Sequence, residues 1–262
     1  MSLKFNDGEE ALPVSESLSG SANSFPETSP NLDQITAYAV TLGHERLHPS
    51  LRNSDYLVLI ERHKKFIQWL RDVSGTELRV IDIGGRIQPY RALIEGRIKT
   101  YVAVDPRPTG LVDAVAVGEQ LPFADSSFDL ALCTQVLCYV TDPQRVVDEA
   151  YRVLVPGGTL LLSAPAFFPY HAESDLWRFS PNQLRSLFSR FSHVEVSPEG
   201  YSISGLCRLF SIFMDFFFET GTLRKLVISM LIPFANLAGA KLDGWSHGDT
   251  RFTNNYSVLA TK

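Results

Sequence analysis

Residues 79–105 read RVIDIGGRIQPYRALIEGRIKTYVAVD, and the order of residue types in this run predicts the fold. An apolar strand at 80–83 leads into a glycine pair at 84–85, where backbone can approach a ligand because no Cβ intervenes. The pattern predicts a short helix after the pair, then a second apolar strand at 101–104 that closes on Asp105. A carboxylate ~20 residues after such a turn can accept both hydroxyls of a ribose. The run therefore predicts a nucleotide-binding βαβ unit.

Three more segments follow in a fixed order. They read VGEQLPFADSSFD at 117–129, VLCYVTDP at 136–143 and RVLVPGG at 152–158. Together with DIGG at 82–85 and Asp105, this order resembles the class I S-adenosylmethionine-dependent methyltransferases, in the small-molecule branch that includes ubiquinone-pathway C-methyltransferases. The resemblance covers 79–165. It implies an α/β fold with a seven-stranded, mostly parallel sheet, whose antiparallel last strand we place at 255–260.

The resemblance also implies S-adenosylmethionine as cofactor and a path for it through the site. The residues concerned are Asp82, Gly84, Gly85, Asp105, Gly118, Glu119 and Gln135. The glycines at 84–85 would pass under the methionine part, and Asp82 would hold the loop or the amino group. Asp105 would take the ribose hydroxyls. Gly118 and Glu119 would flank the adenine, and Gln135 would close the site.

Some positions depart from the family pattern. The second and third loop glycines of the family are Arg86 and Gln88 here, and the acid that commonly precedes the Gly-Glu pair is Val117. These departures motivate one alternative, a non-catalytic partner subunit that keeps the fold.

Length and composition favour one catalytic domain. The chain has 262 residues, a formal net charge of −5 and three cysteines, which fit neither a disulfide framework nor a zinc spacing. This charge gives no support to nucleic-acid binding. We expect a disordered tail at 1–33, where polar residues predominate, and a methyltransferase domain at 34–262. The start lacks the features of a secretory signal, so a cytoplasmic protein is expected, with a homodimer left open.

The loop at 165–179 concentrates five aromatic residues with a histidine, two acids and an arginine. It follows strand five, at the sheet edge where ligands of open α/β sheets bind. His171 is a candidate general base, oriented by Asp175. The candidate acceptor contacts are Tyr139, Tyr170, Trp177, Arg178 and, from the polar segment 244–256, His247. In the alternative, Asp175 and Arg178 form a local i,i+3 pair. His247 and Asp249 lack a third ligand in sequence range, so no metal is expected.

Residues 203–240 are apolar on nearly all sides of two predicted helices. They belong to an insertion at 203–250 between strands six and seven, on the acceptor side of the domain. Three alternatives remain open: a buried lid or dimer interface, a helix pair lying on a membrane surface at the inner face, or a re-entrant hairpin.

The loop at 165–179 also resembles that of methyltransferases from cell-envelope polysaccharide pathways. This resemblance implies O-methylation of a sugar, soluble or lipid-linked. The alternative within the same fold is a methyltransferase acting on a quinone, lipid or polyketide ring.

Overall fold

Seven strands form one sheet. The computed structural model describes residues 31–170, 173–218 and 221–262. Its strands are β1 Leu78–Ile83, β2 Ile98–Asp105, β3 Ala114–Val115, β4 Phe128–Thr134, β5 Leu154–Pro165, β6 His193–Pro198 and β7 Asn255–Thr261. Their order is β3-β2-β1-β4-β5-β7-β6. Only β7 runs antiparallel to its neighbours. The predicted fold class is therefore confirmed.

The central strands are covered on both faces, which explains their near-continuous apolar sequences. Successive residues of β5 point to opposite faces of the sheet. Leu160 and Leu162 accordingly pack in one core cluster, whereas Leu161 packs in the other. Both clusters stabilise the sheet and fix the carboxyl ends of β1, β2 and β4 beside one another.

Seven α-helices surround the sheet in the part of the chain that the structure describes. They are α1 Leu32–Leu47, α2 Tyr56–Asp72, α3 Pro143–Val153, α4 Pro181–Leu187, α5 Ser202–Phe217, α6 Gly221–Leu226 and α7 Ile232–Leu242. Two of these helices begin at a capping side chain. Asp142 accepts hydrogen bonds from the first turn of α3, and Ser180 forms a capping box with Gln183 at α4.

Helix α1 corrects the predicted tail boundary. The expected tail ended at residue 33, but α1 begins at Leu32, within that range. Asn31 and Gln34 form a capping box, in which each side chain accepts from the other residue's backbone N–H. This reciprocal pair satisfies N–H groups that would otherwise lack partners, and so it starts a helix within a polar segment. The rest of the expected tail, 1–30, lies outside the described residues.

The segment after the glycine pair also differs from the expectation. It forms two 3-10 turns, Arg91–Leu93 and Glu95–Arg97, instead of a short α-helix. Gln88 has a left-handed φ of 44°, and Pro89 after it has no N–H to donate. The backbone therefore enters the segment in a conformation that does not propagate an α-helix.

The insertion lies between β6 and β7, as predicted. Helix α5 comes first, and α6 continues through a π-helical stretch, Val227–Leu231, into α7. Gly221–Ser246 forms one helical rod of 26 residues, long and apolar enough to cross a membrane by length and composition alone. We call this segment the 221–246 rod.

Candidate active site

A cleft of about 450 Å³ opens at the carboxyl ends of β1, β2 and β4. This is the edge where open α/β sheets bind ligands. Five residues placed on the cofactor path by sequence line the cleft: Gly84, Asp105, Gly118, Glu119 and Gln135. The fold therefore brings together residues that lie up to 51 positions apart in the chain, from 84 to 135.

Gly84 forms the floor of the cleft and has no room for a side chain. A Cβ at this position would lie 2.2 Å from Cγ2 of Val136, and the φ of +77° is in the left-handed region. The N–H groups of Gly84 and Gly85 both donate to the carbonyl of Val104, at 2.7 and 3.1 Å. The glycine turn is thus held against β2 with its backbone open to the cleft.

Asp82 and Gly85 do not line the cleft; they support it from below. The Asp82 carboxylate is buried and accepts a hydrogen bond from the Tyr101 hydroxyl at 2.6 Å. A Cβ on Gly85 would lie 2.8 Å from the Asp82 carboxyl carbon, so the two residues are in close contact. Burial, only partly offset by the Tyr101 hydrogen bond, raises the pKa of Asp82 to about 7. Of the two roles expected for Asp82, this geometry fits holding the loop.

Two carboxylates lie on the cleft wall, and the chain fixes the orientation of both. Asp105 ends β2, and its Oδ1 accepts the backbone N–H of Arg107 at 2.8 Å. Glu119 uses Oε1 to accept the N–H and the hydroxyl of Thr141, at 3.1 and 3.2 Å. Carboxylate oxygens at these positions are acceptors for hydroxyl or amino groups of a ligand.

Gln135 follows β4 with a left-handed φ of 57°, which is uncommon for a residue with a side chain. Its amide nitrogen donates to Ser163 Oγ at 2.9 Å and to Asn255 Oδ1 at 3.1 Å. Asn255 in turn donates to Glu199 at 2.8 Å, and a buried two-point ion pair joins Glu199 to Arg62. A chain of polar contacts therefore runs from α2, through β7, to the cleft.

The departures from the family pattern fall within or beside the cleft. Arg86 and Val117 both line it. Gln88 adopts the backbone conformation of the glycine it replaces, and its side-chain amide donates to the Leu111 carbonyl. The loop thus keeps a glycine-like path while a side chain ties it to the segment after β2.

Helix α1 forms part of the site, and sequence reasoning missed it. Arg46 in its last turn lines the cleft. A Cβ on Gly43 would lie 2.1 Å from the Ile87 carbonyl oxygen, so α1 contacts the glycine-loop backbone directly. Thr36 accepts the N–H of Gly110 at 2.7 Å. The capping box at Asn31 and Gln34 was the signal that could have revealed this helix.

In the acceptor loop, two predicted site residues contact each other. Asp175, expected to act in catalysis, has a side chain that is 1 % exposed and forms a two-point ion pair with Arg178. The Arg178 guanidinium also donates to the carbonyls of Phe168, Pro169 and Trp177. Arg178 therefore holds its own loop together and has no donor directed at a ligand. The local i,i+3 pair, the alternative that sequence left open, is the arrangement observed.

The remaining acceptor candidates occupy different places. Tyr139 lines the cleft, together with Ser174, which sequence did not single out. Trp177 is half-exposed, and its indole N–H donates to the carbonyl of Val140 in the cleft wall. Tyr170 and His247 are exposed and do not line the cleft, so their contact with an acceptor stays a prediction. His171 lies outside the described residues.

The fold and the site are those that the resemblance to class I S-adenosylmethionine-dependent methyltransferases implies. The order of the strands, the glycine turn that admits backbone alone and the carboxylate at the end of β2 suit a nucleoside-bearing cofactor. Residues 81–162 match the family described as "Methyltransferase domain".

Curated relatives match part of the chain. A thiol S-methyltransferase, TMT1B of Rattus norvegicus, is 43 % identical over 65 residues, which is 24 % of this chain and 27 % of that protein. An uncharacterized methyltransferase of Mycobacterium sp. (strain KMS) is 36 % identical over 94 residues, which is 32 % of this chain and 37 % of that protein. The matches thus span about a quarter to two fifths of the length of these relatives.

Among solved structures, the [4+2]-cyclase SpnF is 17 % identical with a TM-score of 0.47, covering 76 % of this chain and 80 % of that chain. A Haemonchus contortus phosphoethanolamine N-methyltransferase in complex with S-adenosyl-L-methionine is 16 % identical with a TM-score of 0.47, covering 76 % and 52 %.

Proposed function

We propose that the protein transfers the methyl group of S-adenosylmethionine to an oxygen of a sugar, soluble or lipid-linked, in envelope glycan synthesis. The observation that carries the proposal is the cleft, where backbone at Gly84 and carboxylates at Asp105 and Glu119 face one space. When bound, the cofactor supplies a methyl group already activated by a sulfonium centre.

The residues of the chain would position the two reactants. Asp105 would accept the ribose hydroxyls, and Gly118 and Glu119 would border the adenine. Gln135, held by Ser163 and Asn255, would close the cleft beside the methionine part. Such positioning is the main contribution expected of the protein, because the methyl donor needs no further activation.

The acceptor would approach from the loop at 165–179. Phe167, Tyr170 and Trp177 expose aromatic surface there, which suits the apolar face of a sugar ring. His171 stays a prediction from sequence, as the base that takes the hydroxyl proton while the methyl group moves to the oxygen. Asp175 stays a prediction as the group that orients His171, and its buried carboxylate is held in the loop by Arg178.

Cofactor binding is the first test, by isothermal titration of the purified protein with S-adenosylmethionine. Asp105→Ala removes hydrogen bonds to a charged group, each worth about 1.5–3 kcal/mol, so the dissociation constant should rise at least about tenfold. Asp125→Ala is the matched control, because its exposed carboxylate pairs with Arg152 outside the cleft. No binding by the wild type would favour the alternative of a non-catalytic partner subunit.

Acceptor class is the second test, by methyl transfer to a nucleotide sugar, a quinol and a thiol. The thiol belongs in the panel because one relative is named a thiol S-methyltransferase. We expect transfer to the sugar, and His171→Ala should lower turnover by about 10²-fold with cofactor binding unchanged. Transfer to the quinol alone or to the thiol alone would reject the sugar proposal and identify the acceptor class. Near wild-type turnover in His171→Ala would show that His171 is not the general base, and positioning of the reactants would then be the whole mechanism.

A further inference from the structure

Helix α5 buries mostly small and polar residues and exposes large apolar ones. This is the reverse of the usual arrangement in a surface helix of a protein surrounded by water. Its buried residues are Ser202, Ser204, Gly205, Arg208, Ser211, Ile212 and Asp215. Its exposed large residues are Leu206, Phe210, Phe213, Phe216 and Phe217. A surface helix in water buries its apolar stripe and exposes its polar one. Small and polar residues between helices, with apolar residues outside, are typical of helices in a lipid environment.

The 221–246 rod extends this apolar surface. Only 28 % of its most apolar window is buried, and the window has a mean hydropathy of 1.4. Its exposed large residues are Leu223, Leu226, Met230, Leu231, Phe234 and Leu237. The rod packs on α5 at close range, since a Cβ on Gly239 would lie 3.0 Å from the Cys207 Cβ. We call the exposed residues of α5 and the rod together the apolar face.

The opposite side of both helices is anchored to the domain by polar contacts. Arg208 pairs with Asp55 at 2.5 Å, and Arg224 with Asp215 at 3.1 Å. Midway along the rod, the buried Asn236 amide donates to the carbonyls of Leu51 and Asn53 at 2.8 Å each. A rod held to the domain at its middle, and to α5 near its start, lies along the surface of the domain and does not cross a bilayer.

The charges around the apolar face favour an anionic surface. Among the described residues of the rod, the fully exposed charged side chains are Lys225 and Lys241. The carboxylate of Asp243 turns inward and accepts the N–H groups of Tyr201 and Ser204. Trp245, 71 % exposed at the end of the rod, has the amphipathic ring found at membrane interfaces. A protein–protein interface, in contrast, is depleted in lysine.

We propose that the apolar face docks on the surface of an anionic lipid bilayer, with α5 and the rod lying in the plane of the interface. The same insertion contacts the acceptor loop, because the Arg208 guanidinium lies 5.2 Å from the centre of the Phe168 ring. Docking would thus place the mouth of the acceptor site beside the headgroups. The proposal is independent of the acceptor and of cofactor binding.

The test is co-sedimentation of the full chain with vesicles of phosphatidylcholine, with or without phosphatidylglycerol. The combined variant Phe213→Ser, Phe217→Ser and Phe234→Ser should weaken binding by at least ~100-fold, because burial of each large side chain is strongly favourable. Its melting temperature should not fall, since these residues are 59 %, 67 % and 73 % exposed.

The matched control carries Leu32→Ser, Val40→Ser and Val115→Ser, three apolar residues that are 52 %, 52 % and 63 % exposed away from the apolar face. It should bind vesicles as the wild type does. Lys225→Gln and Lys241→Gln should each weaken binding about fivefold on vesicles containing phosphatidylglycerol, and not on phosphatidylcholine alone.

Three results would overturn the proposal. They are a wild type that does not sediment with either vesicle, a phenylalanine variant that sediments as well as the wild type, and a wild-type dimer in analytical ultracentrifugation that the same variant splits. The last would assign the apolar face to a second copy of the chain. Titration with S-adenosylmethionine, run in parallel, separates each of these results from a failure of the methyltransferase proposal.

Discussion

Asp82 illustrates how a single residue couples the glycine turn to pH. Its carboxyl group is buried under the turn beside Gly85, and its pKa is raised to about 7 from 3.8. A buried carboxyl of this kind favours the neutral form in the folded protein and the ionised form in the unfolded chain. Folding is therefore favoured when Asp82 is protonated.

The sign of the pH effect follows from this shift. The stability contribution of Asp82 is fully present below pH 4 and is lost as the pH rises through 7. Asp82→Asn keeps an oxygen to accept the Tyr101 hydroxyl but cannot ionise. We therefore expect the melting temperature of the variant, relative to the wild type, to rise between pH 4 and 7 and to stay constant above pH 7.

The measurement is thermal unfolding across that pH range, with Asp148→Asn as the control because this carboxylate is partly exposed. A constant difference between wild type and Asp82→Asn at all pH values would mean that Asp82 is ionised in the folded protein.

At the scale of elements, α1 forms part of the outer wall of the cleft. Gly43 lies in the interior of this helix, where alanine would ordinarily stabilise by about 0.8–1 kcal/mol. Here the added Cβ would lie 2.1 Å from the Ile87 carbonyl oxygen, so contact with the glycine loop opposes the helical preference. The sign of the stability change on replacing Gly43 by alanine therefore shows whether α1 is packed against the glycine loop.

Gly43→Ala should lower the melting temperature and weaken S-adenosylmethionine binding several-fold, because displacement of α1 also moves Arg46. Gly96→Ala is the matched control, since no atom lies within 4 Å of its added Cβ. Calorimetry and titration measure the two effects. A more stable Gly43→Ala protein would show that α1 is not packed against the loop in solution.

The elements that sequence predicted well have signals carried by many residues. The buried strands β1, β4 and β5 are predominantly apolar, and α3 and α4 have both a capping side chain and a proline at their first position. Helix α1 depends on one capping box at the edge of a polar segment, which composition alone cannot distinguish from a tail. The helix predicted after the glycine turn failed because the left-handed φ of Gln88 depends on its contact with Leu111, 23 residues away.

The residues of the candidate site likewise divide into those that the sequence pattern predicts and those that only the folded structure defines. Asp105 and Gln135 could be predicted because they follow apolar strands, and strand ends meet at one edge of a parallel sheet. The role of Arg178 could not be predicted, since its partners include the carbonyls of Phe168 and Pro169, whose direction only the folded loop defines. Sequence spacing offers both an ion pair and a ligand contact for such a residue, and loop geometry selects between them.

At the scale of the whole molecule, the Arg62–Glu199 pair connects α2 to the end of β6 in the core. Its side chains are 4 % and 0 % exposed, and Tyr90, Asn255 and Ser257 supply further hydrogen bonds. Removing one partner of a buried pair leaves an uncompensated charge, which costs about 3–5 kcal/mol. Variants of the pair therefore test how strongly the contact between α2 and the end of β6 stabilises the fold.

Glu199→Leu should lower the free energy of unfolding by about 3–5 kcal/mol, because Arg62 keeps its charge in the core. The double variant Arg62→Met with Glu199→Leu should recover part of that loss, since no charge is left unpaired and the groups that lose a hydrogen-bond partner are those of Tyr90, Asn255 and Ser257. Urea unfolding of both single variants and the double variant measures the coupling. Strictly additive losses would show that the two charges do not interact.

The hydrogen bond between Gln135 and Asn255 joins residues 120 positions apart, and this separation has a consequence for synthesis. A ribosome that has translated the chain through β5 has already made the glycine turn, Asp105 and Gln135. The amide that orients Gln135 emerges only after the whole insertion has left the exit tunnel. Completion of the cleft therefore comes late in translation, and the apolar face of α5 and the rod is exposed to the cell before the cleft is complete.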